Sequence, residues 1–121
     1  MAGTLQTVLD TFRAIRGVDL AAIIGIDGLV IESAAAPGLD VDAVAALAVN
    51  GLLLADALGR EIGRGGAVQT MLEYEEGLLL IEPIGEDACL LVLSRARTDL
   101  GHLRFTARRY RADLAAALAA R

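Results

Sequence analysis

The spacing of apolar residues changes several times along the chain, and each change marks a new element of secondary structure. Between residues 4 and 16 the apolar side chains recur at helical spacing, at Leu5, Val8, Leu9, Phe12 and Ile15. Gly17 follows at the point where a helix of this length would end. The segment predicts an amphipathic first helix that packs one face on the core.

Two runs of aliphatic and β-branched residues follow, at 19–26 and 29–33, with Asp27-Gly28 between them. Asp-Gly between two such runs is a strong hairpin signal because both turn residues tolerate a positive φ. The pattern therefore predicts two antiparallel strands joined by a tight turn. Residues 34–39, which contain Pro37-Gly38, are predicted to form a loop.

The next segment, residues 40–66, predicts a long helix that is apolar on every side. No charged residue occurs from Ala43 to Ala55, and a helix that is apolar all round must be covered all round. This helix is predicted to be too short to span a bilayer, which needs roughly 20 apolar residues. We therefore expect one face to pack on the chain's own sheet and the other on a second protein. Asp40 or Asp42 is expected to cap the start of this helix.

Three further strands are predicted after the long helix, at residues 67–74, 78–84 and 88–94. One face of the first of these strands carries Val68, Thr70, Leu72 and Tyr74. The other two runs are apolar on both faces, which predicts that helices cover both sides of the sheet at these strands.

A last helix begins after Thr98 or Asp99, either of which can cap it. Its inward-facing residues are predicted to be Leu100, Leu103, Ala107, Tyr110, Leu114 and Leu118, and Arg104, Arg108 and Arg111 are predicted to face outward. The element order is therefore α-β-β-α-β-β-β-α. This order indicates an α/β fold of the α+β kind, with a five-stranded antiparallel sheet between helical layers. We expect residues 1–121 to form a single domain.

The composition and the distribution of charge narrow the classes of molecule that the protein could bind. The chain is 55% hydrophobic with a mean hydropathy of +0.55, which agrees with surface buried in an assembly. Residues 1–94 hold 4 arginines and 14 acidic residues, and residues 95–121 hold 7 arginines and 2 acidic residues. An acidic body disfavours nucleic acid as a partner. The arginines of the last helix are better explained as a solvated face with local ion pairs, although they keep binding of anionic lipid or nucleic acid open.

The N-terminal sequence and the cysteine content both bear on the cellular compartment of the protein. No basic segment followed by an apolar run occurs at the N-terminus, so no signal peptide is expected. The single cysteine, Cys89, forbids an internal disulfide and suits a reducing environment. A cytoplasmic location is predicted, without direct membrane insertion.

The side chains that catalysis and metal binding need are scarce. One histidine and one cysteine do not make a metal site. The glycine-rich residues 59–66 lack the lysine of a phosphate-binding loop, and they follow their helix, whereas such a loop precedes it. The sequence therefore predicts a protein that is not an enzyme, with no catalytic residue, no metal and no cofactor.

Three pieces of sequence resemble the Roadblock family, and within it the MglB branch of bacterial polarity and gliding regulators. They are AIIGIDGLVI at 22–31, ADALGREIG at 55–63, and GLLLI with GEDACLLV between residues 77 and 92. The resemblance covers nearly the whole chain. It implies a sheet sandwiched between the long helix on one side and the two terminal helices on the other. It also implies a homodimer in which the third strands pair edge to edge and the long helices pack together.

The resemblance also implies a function, because members of this family bind Ras-like small GTPases or serve as scaffold subunits. We expect a non-enzymatic homodimeric regulator that binds a Ras-like, MglA-like small GTPase and modulates its GTP hydrolysis. The alternative is a structural adaptor that homo- or heterodimerises without altering GTPase kinetics. The predicted dimer interface comprises Leu47, Gly51, Leu54, Ala55, Leu58, Val68, Thr70, Leu72 and Tyr74. The candidate GTPase contacts are Asp56, Arg60 and Arg64.

Arg60 or Arg64 could act as an arginine finger in trans. The simpler interpretation is that both are solvated arginines that complement the dipole at the helix end. The presence of a small-GTPase gene beside this one would favour the regulator over the adaptor.

Overall fold

The computed structural model describes residues 4–95 and 98–121, and these residues form three helices and five strands in the predicted order. The elements are α1 (Leu5–Arg13), β1 (Val18–Gly25), β2 (Val30–Ala35), α2 (Val41–Glu61), β3 (Thr70–Tyr74), β4 (Gly77–Ile84), β5 (Ala88–Arg95) and α3 (Leu100–Ala119). The prediction of an α+β fold is confirmed.

The five strands form one antiparallel sheet in the order β2-β1-β5-β4-β3. The predicted first hairpin is present. The Asp27 carboxylate accepts the backbone N–H of Leu29 at 3.0 Å, and Gly28 takes a φ of +87° in the turn. A β-bulge interrupts the pairing of β1 with β2 between Ile23 and Ile24. The order leaves β2 and β3 as the two edge strands.

Two apolar clusters, one on each side of the sheet, form the core. On one side α1 and α3 cover alternate residues of the central strands, with Leu9, Phe12 and Leu114 fully buried. On the other side α2 covers the remaining alternate residues through Ala45 and Leu52. The two central apolar runs are buried on both faces for this reason. The expected sandwich of one long helix and two terminal helices is confirmed.

Each helix begins with a side-chain cap. Thr4 accepts the backbone N–H of Thr7, Asp40 accepts that of Ala43, and Asp99 accepts that of His102, at distances of 3.2, 3.1 and 3.0 Å. Of the alternatives that the sequence left open, Asp40 caps α2 and Asp99 caps α3. An acidic cap also complements the positive end of the helix dipole.

At the ends of elements, three predictions differ from the structure. Residues 34 and 35 were predicted to lie in a loop but form the end of β2. The third strand begins at Thr70, so Val68 precedes it and lies in the connecting loop. The reason is that the first paired residues of β3 and β4 are Thr70 and Ile81. Leu100 was predicted to face inward but is exposed, because it occupies the first position of α3, before the helix reaches the core.

The length of α2 also contradicts the sequence prediction that this helix is too short to span a membrane. By length and composition, α2 is the one helix among the described residues that could cross a bilayer. The prediction that it is too short was therefore wrong. Its inner face nevertheless packs on the protein's own sheet through Ala48, Val49 and Leu52. One side of α2 is therefore covered by the protein's own sheet.

Gly59 near the end of α2 provides a test of the loop that follows. A Cβ at this position would lie 2.2 Å from the backbone oxygen of Gly65, which folds back over the helix. We expect Gly59→Ala to lower the free energy of unfolding by about 2 kcal/mol, although alanine is the better helix former by about 1 kcal/mol. Urea unfolding at a fixed protein concentration measures this change.

Gly101 in α3 is the matched control, because a Cβ there would meet nothing closer than 3.5 Å. Gly101→Ala should leave stability unchanged or raise it by up to about 1 kcal/mol. Equal stability of Gly59→Ala and the wild type would contradict the close approach of this loop.

Candidate protein-interaction surface

The outer side of α2 is an uncovered apolar stripe. Leu47, Leu54 and Leu58 lie along one line of the helix, at intervals of seven and four residues, and are 73, 72 and 60% exposed. The opposite side of the same helix, with Ala45 and Leu52, is buried. The sequence prediction of a helix that is apolar all round is confirmed. In the single chain only one side of that apolar surface is covered.

Gly51 lies in the middle of this stripe and is half-buried. A Cβ at Gly51 would meet Ile81 at 3.7 Å, which is an ordinary contact distance. The chain's own packing therefore does not demand glycine here. The absence of a side chain leaves room for another backbone to approach α2, as the sequence predicted.

A second exposed apolar patch lies on the edge strand β3, on the side of the sheet that α2 covers. Thr70 and Leu72 pair with Ile81 and Leu79 of β4, both of which belong to the cluster beneath α2. Since alternate residues of a strand share a face, Tyr74 lies on that side too. Leu72 and Tyr74 are exposed, and among the described residues β3 pairs only with β4. Its other edge is thus open to pairing.

We call this surface the α2–β3 face and define it by Leu47, Leu54, Leu58, Leu72 and Tyr74. The other predicted interface residues lie in or beside it: Gly51 and Ala55 are half-buried on α2, Thr70 is half-buried on β3, and Val68 is exposed in the loop before β3. The structure brings the helix and strand residues together on one side of the sheet. Their contact with a second chain stays a prediction.

The three candidate GTPase contacts do not form one cluster of free side chains. The Asp56 carboxylate accepts the backbone N–H of Ala67 at 2.6 Å and so holds the loop between α2 and β3. It is half-buried and faces this loop, although the sequence predicted an outward position. Arg60 and Arg64 are exposed, and within the described residues neither makes an ion pair.

A polar network that the sequence did not predict links the start of β3 to α3. Glu82 of β4 is fully buried, and its carboxylate accepts Gln69 Nε2 at 2.7 Å and Arg111 Nε at 3.1 Å. Arg104 Nε donates to the Oε1 atom of Gln69 at 3.0 Å. The prediction that Arg111 faces outward was therefore wrong. Its hydrogen bond to Glu82 raises the pKa of Arg111, against a lowering by partial burial.

One signal in the sequence could have revealed this network. Glu82 interrupts an otherwise aliphatic strand at a position that alternation assigns to the side of α1 and α3. A carboxylate buried there needs a cation from the helical layer. The arginines of α3 are the nearest source of one.

The rest of the described chain offers little chemistry. Burial raises the pKa of the Cys89 thiol to about 11, so this cysteine is almost entirely protonated at neutral pH and unreactive. In residues 4–95 and 98–121 no three His, Cys, Asp or Glu side chains lie close enough together to hold a metal ion.

Comparison with known sequences gives a family match and uncharacterised relatives. Residues 4–94 match the model of the Roadblock/LC7 domain. One uncharacterised protein of Methanocaldococcus jannaschii is 39% identical over 105 residues, which cover 87% of this chain and 88% of the relative. Another from the same organism is 35% identical over 105 residues, covering 87% of this chain and 91% of the relative.

Comparison with solved structures gives the same fold. Myxococcus xanthus MglB matches with a TM-score of 0.86 at 20% identity, covering 95% of this chain and 94% of that one. A Roadblock/LC7 domain from Streptomyces avermitilis matches with a TM-score of 0.86 at 23% identity, with 96% and 98% covered. An MglB structure described as having a tetrameric arrangement matches at 0.85 and 22% identity, with 93% and 85% covered. At these identities the likeness concerns the fold alone.

Proposed function

Because the chain belongs to the Roadblock/LC7 domain family, we propose that it is a homodimeric, non-enzymatic cytoplasmic regulator that binds a Ras-like small GTPase and modulates its GTP hydrolysis. The α2–β3 face is the observation that carries this proposal. The family is generally regulatory, and the fold resembles MglB.

The exposed leucines of α2 support the dimer on energetic grounds. Removing an exposed leucine side chain from water contributes roughly 2 kcal/mol to the free energy of association. Leu47, Leu54 and Leu58 from two chains would therefore supply a substantial driving force for dimerisation. Leu72 and Tyr74 extend the same surface to the open edge of β3. A two-fold axis that sets β3 against its copy also brings the two α2 helices together.

The open edge of β3 supports direct strand pairing in the dimer. Its five residues place Thr70, Leu72 and Tyr74 on the α2 side. Antiparallel pairing of two such edges would satisfy backbone groups that otherwise face water. It would also join the two sheets into one.

In this proposal, regulation arises because the dimer binds one conformation of the GTPase more tightly than the others. A rigid pair of α2 helices that binds one arrangement of the GTPase's switch segments better than the others shifts the GTPase toward that arrangement. Arg60 and Arg64 are exposed at the C-terminal end of α2 and can contact acidic groups of the GTPase. Asp56 supports them indirectly, because it holds the loop next to them.

The test is single-turnover GTP hydrolysis by a purified Ras-like small GTPase from the same genome, with and without the protein. We expect a rate change that saturates with the protein dimer, and binding that weakens about tenfold in the double variant Arg60→Ala/Arg64→Ala. A finger role for either arginine predicts that the same variant loses stimulation even at saturating concentration. Undiminished stimulation at saturation would exclude the finger.

Two other results would decide between the proposed functions. Saturable binding without any rate change would favour the adaptor. Absence of binding by a protein shown to be dimeric would overturn the GTPase partner while leaving the dimer in place.

A further inference from the structure

A second surface lies on the other side of the sheet from α2. A cleft of about 1070 Å³ opens between the C-terminal end of α1 and the N-terminal half of α3. Gly17 forms part of its floor with a φ of +93°, and a Cβ there would lie 2.4 Å from Thr98 Oγ1. The Thr98 side chain therefore packs closely against Gly17 at the cleft.

The charge of this cleft is opposite to that of the chain. Arg16, Arg95 and Arg109 line it, whereas the chain as a whole carries a net charge of −5. The one acidic residue in its lining, Asp99, is already engaged as the cap of α3.

The guanidinium groups of the cleft are largely available to a partner. Among the described residues, neither Arg16 nor Arg109 lies within 4 Å of a carboxylate. Arg95 Nε lies 3.5 Å from the Asp19 carboxylate, but the Arg95 side chain is 70% exposed, so this ion pair is weak. Three arginines that line one cleft create a positive potential there, which an anionic occupant would offset.

The cleft also contains apolar surface. Phe105 is 64% exposed at its rim. Tyr110 is half-buried in the wall, and the Arg109 guanidinium carbon lies 5.7 Å from the centre of its ring. Ile15 completes the apolar part of the lining. An occupant of this cleft must therefore offer both negative charge and an apolar group.

We propose that this cleft docks an acidic segment of a partner protein, whose carboxylates contact Arg16, Arg95 and Arg109 and whose apolar side chain packs on Phe105. Charge complementarity is the basis of this assignment, because arginine pairs with carboxylates through several hydrogen bonds. A concave wall between two helices suits a peptide segment better than a flat lipid surface. An anionic bilayer would also repel a chain with this net charge.

The cleft and the α2–β3 face are separate surfaces. The cleft is built from the end of α1, the turn after it, the end of β5 and α3, and the α2–β3 face lies across the sheet. The proposed docking site therefore goes beyond the proposed GTPase regulation. It would let one dimer bind a GTPase and an acidic partner at the same time.

Fluorescence anisotropy with the full chain tests this site directly. The probe is a short fluorescein-labelled peptide of glutamate, leucine and glycine, and a counterpart has lysine in place of glutamate. We expect micromolar binding of the acidic peptide, weaker at higher salt, and no binding of the lysine peptide. Arg16→Glu/Arg109→Glu should weaken the binding at least about tenfold, and Phe105→Ala several-fold.

Arg60→Glu/Arg64→Glu is the matched control, since it makes the same change of charge outside the cleft. It should bind the acidic peptide within about twofold of the wild type. Equal weakening by the two charge reversals, or no binding of the acidic peptide, would overturn the proposal. Binding to vesicles of phosphatidylcholine and phosphatidylserine without binding to the peptide would overturn it in favour of a membrane surface. Circular dichroism of each variant checks that the fold is intact.

Discussion

If the protein dimerises through the α2–β3 face as proposed, Leu54→Glu is expected to convert that dimer into a folded monomer. Leu54 lies in the centre of the exposed stripe of α2 and is 72% exposed in the single chain. The substitution costs the monomer little, but in a dimer it would bury two carboxylates in an apolar contact. We expect the dimer dissociation constant to rise at least about a hundredfold. Analytical ultracentrifugation measures the dissociation constant, and circular dichroism shows whether the monomer is folded.

Phe105→Glu provides a control of similar exposure on the opposite side of the sheet. It should leave the dimer dissociation constant unchanged. Leu54→Glu should in turn leave binding of the acidic peptide unchanged, so the two proposals are tested separately. A Leu54→Glu protein that remains dimeric at low micromolar concentration would contradict association through the α2–β3 face.

Arg111→Met is expected to lower the free energy of unfolding by about 3 kcal/mol. Arg111 supplies the cation for Glu82, which is fully buried, and its loss leaves a buried carboxylate without its counter-ion. Adding Glu82→Gln should restore most of the lost stability, because a neutral amide needs no counter-ion and can still accept from Gln69. Urea unfolding at a fixed protein concentration measures both changes.

Arg108 offers a matched control on the same helix, because it is exposed and makes no ion pair among the described residues. Arg108→Met should change stability by less than about 0.5 kcal/mol. If Arg111→Met cost no more than Arg108→Met, the network around Glu82 would not stabilise the fold. The network matters for the proposed dimer as well, since Gln69 directly precedes β3.

Local patterns predicted the elements of this fold well, because each depends on near neighbours in sequence. Asp27-Gly28 specified the first hairpin, and the apolar spacing of residues 5–12 specified α1. The continuous apolar run of β4 and β5 predicted a sheet covered on both sides. The uncovered side of α2 followed from the amount of apolar surface on one helix.

Several of the predictions that failed depend on contacts between distant residues. A helical wheel places Arg111 outside because it takes no account of Glu82, which lies 29 residues earlier in the chain. The strand pattern from residue 67 does not reveal that Ala67 gives its N–H to Asp56 of α2, so β3 starts later than predicted. The cleft beside α3 was missed for the same reason, because it combines residues of α1 and α3.

The strand order limits the number of chains that could join through the edges of their sheets. The two edge strands of the sheet differ. Strand β3 presents Leu72 and Tyr74 beside an open edge, whereas a bulge interrupts the pairing of β2 with β1 at Ile23 and Ile24. In the proposed dimer, joining two copies through β3 would use the open edge of each copy and would leave a bulged β2 at each far end. We therefore expect addition through strands to stop at two chains, without growth into a fibre.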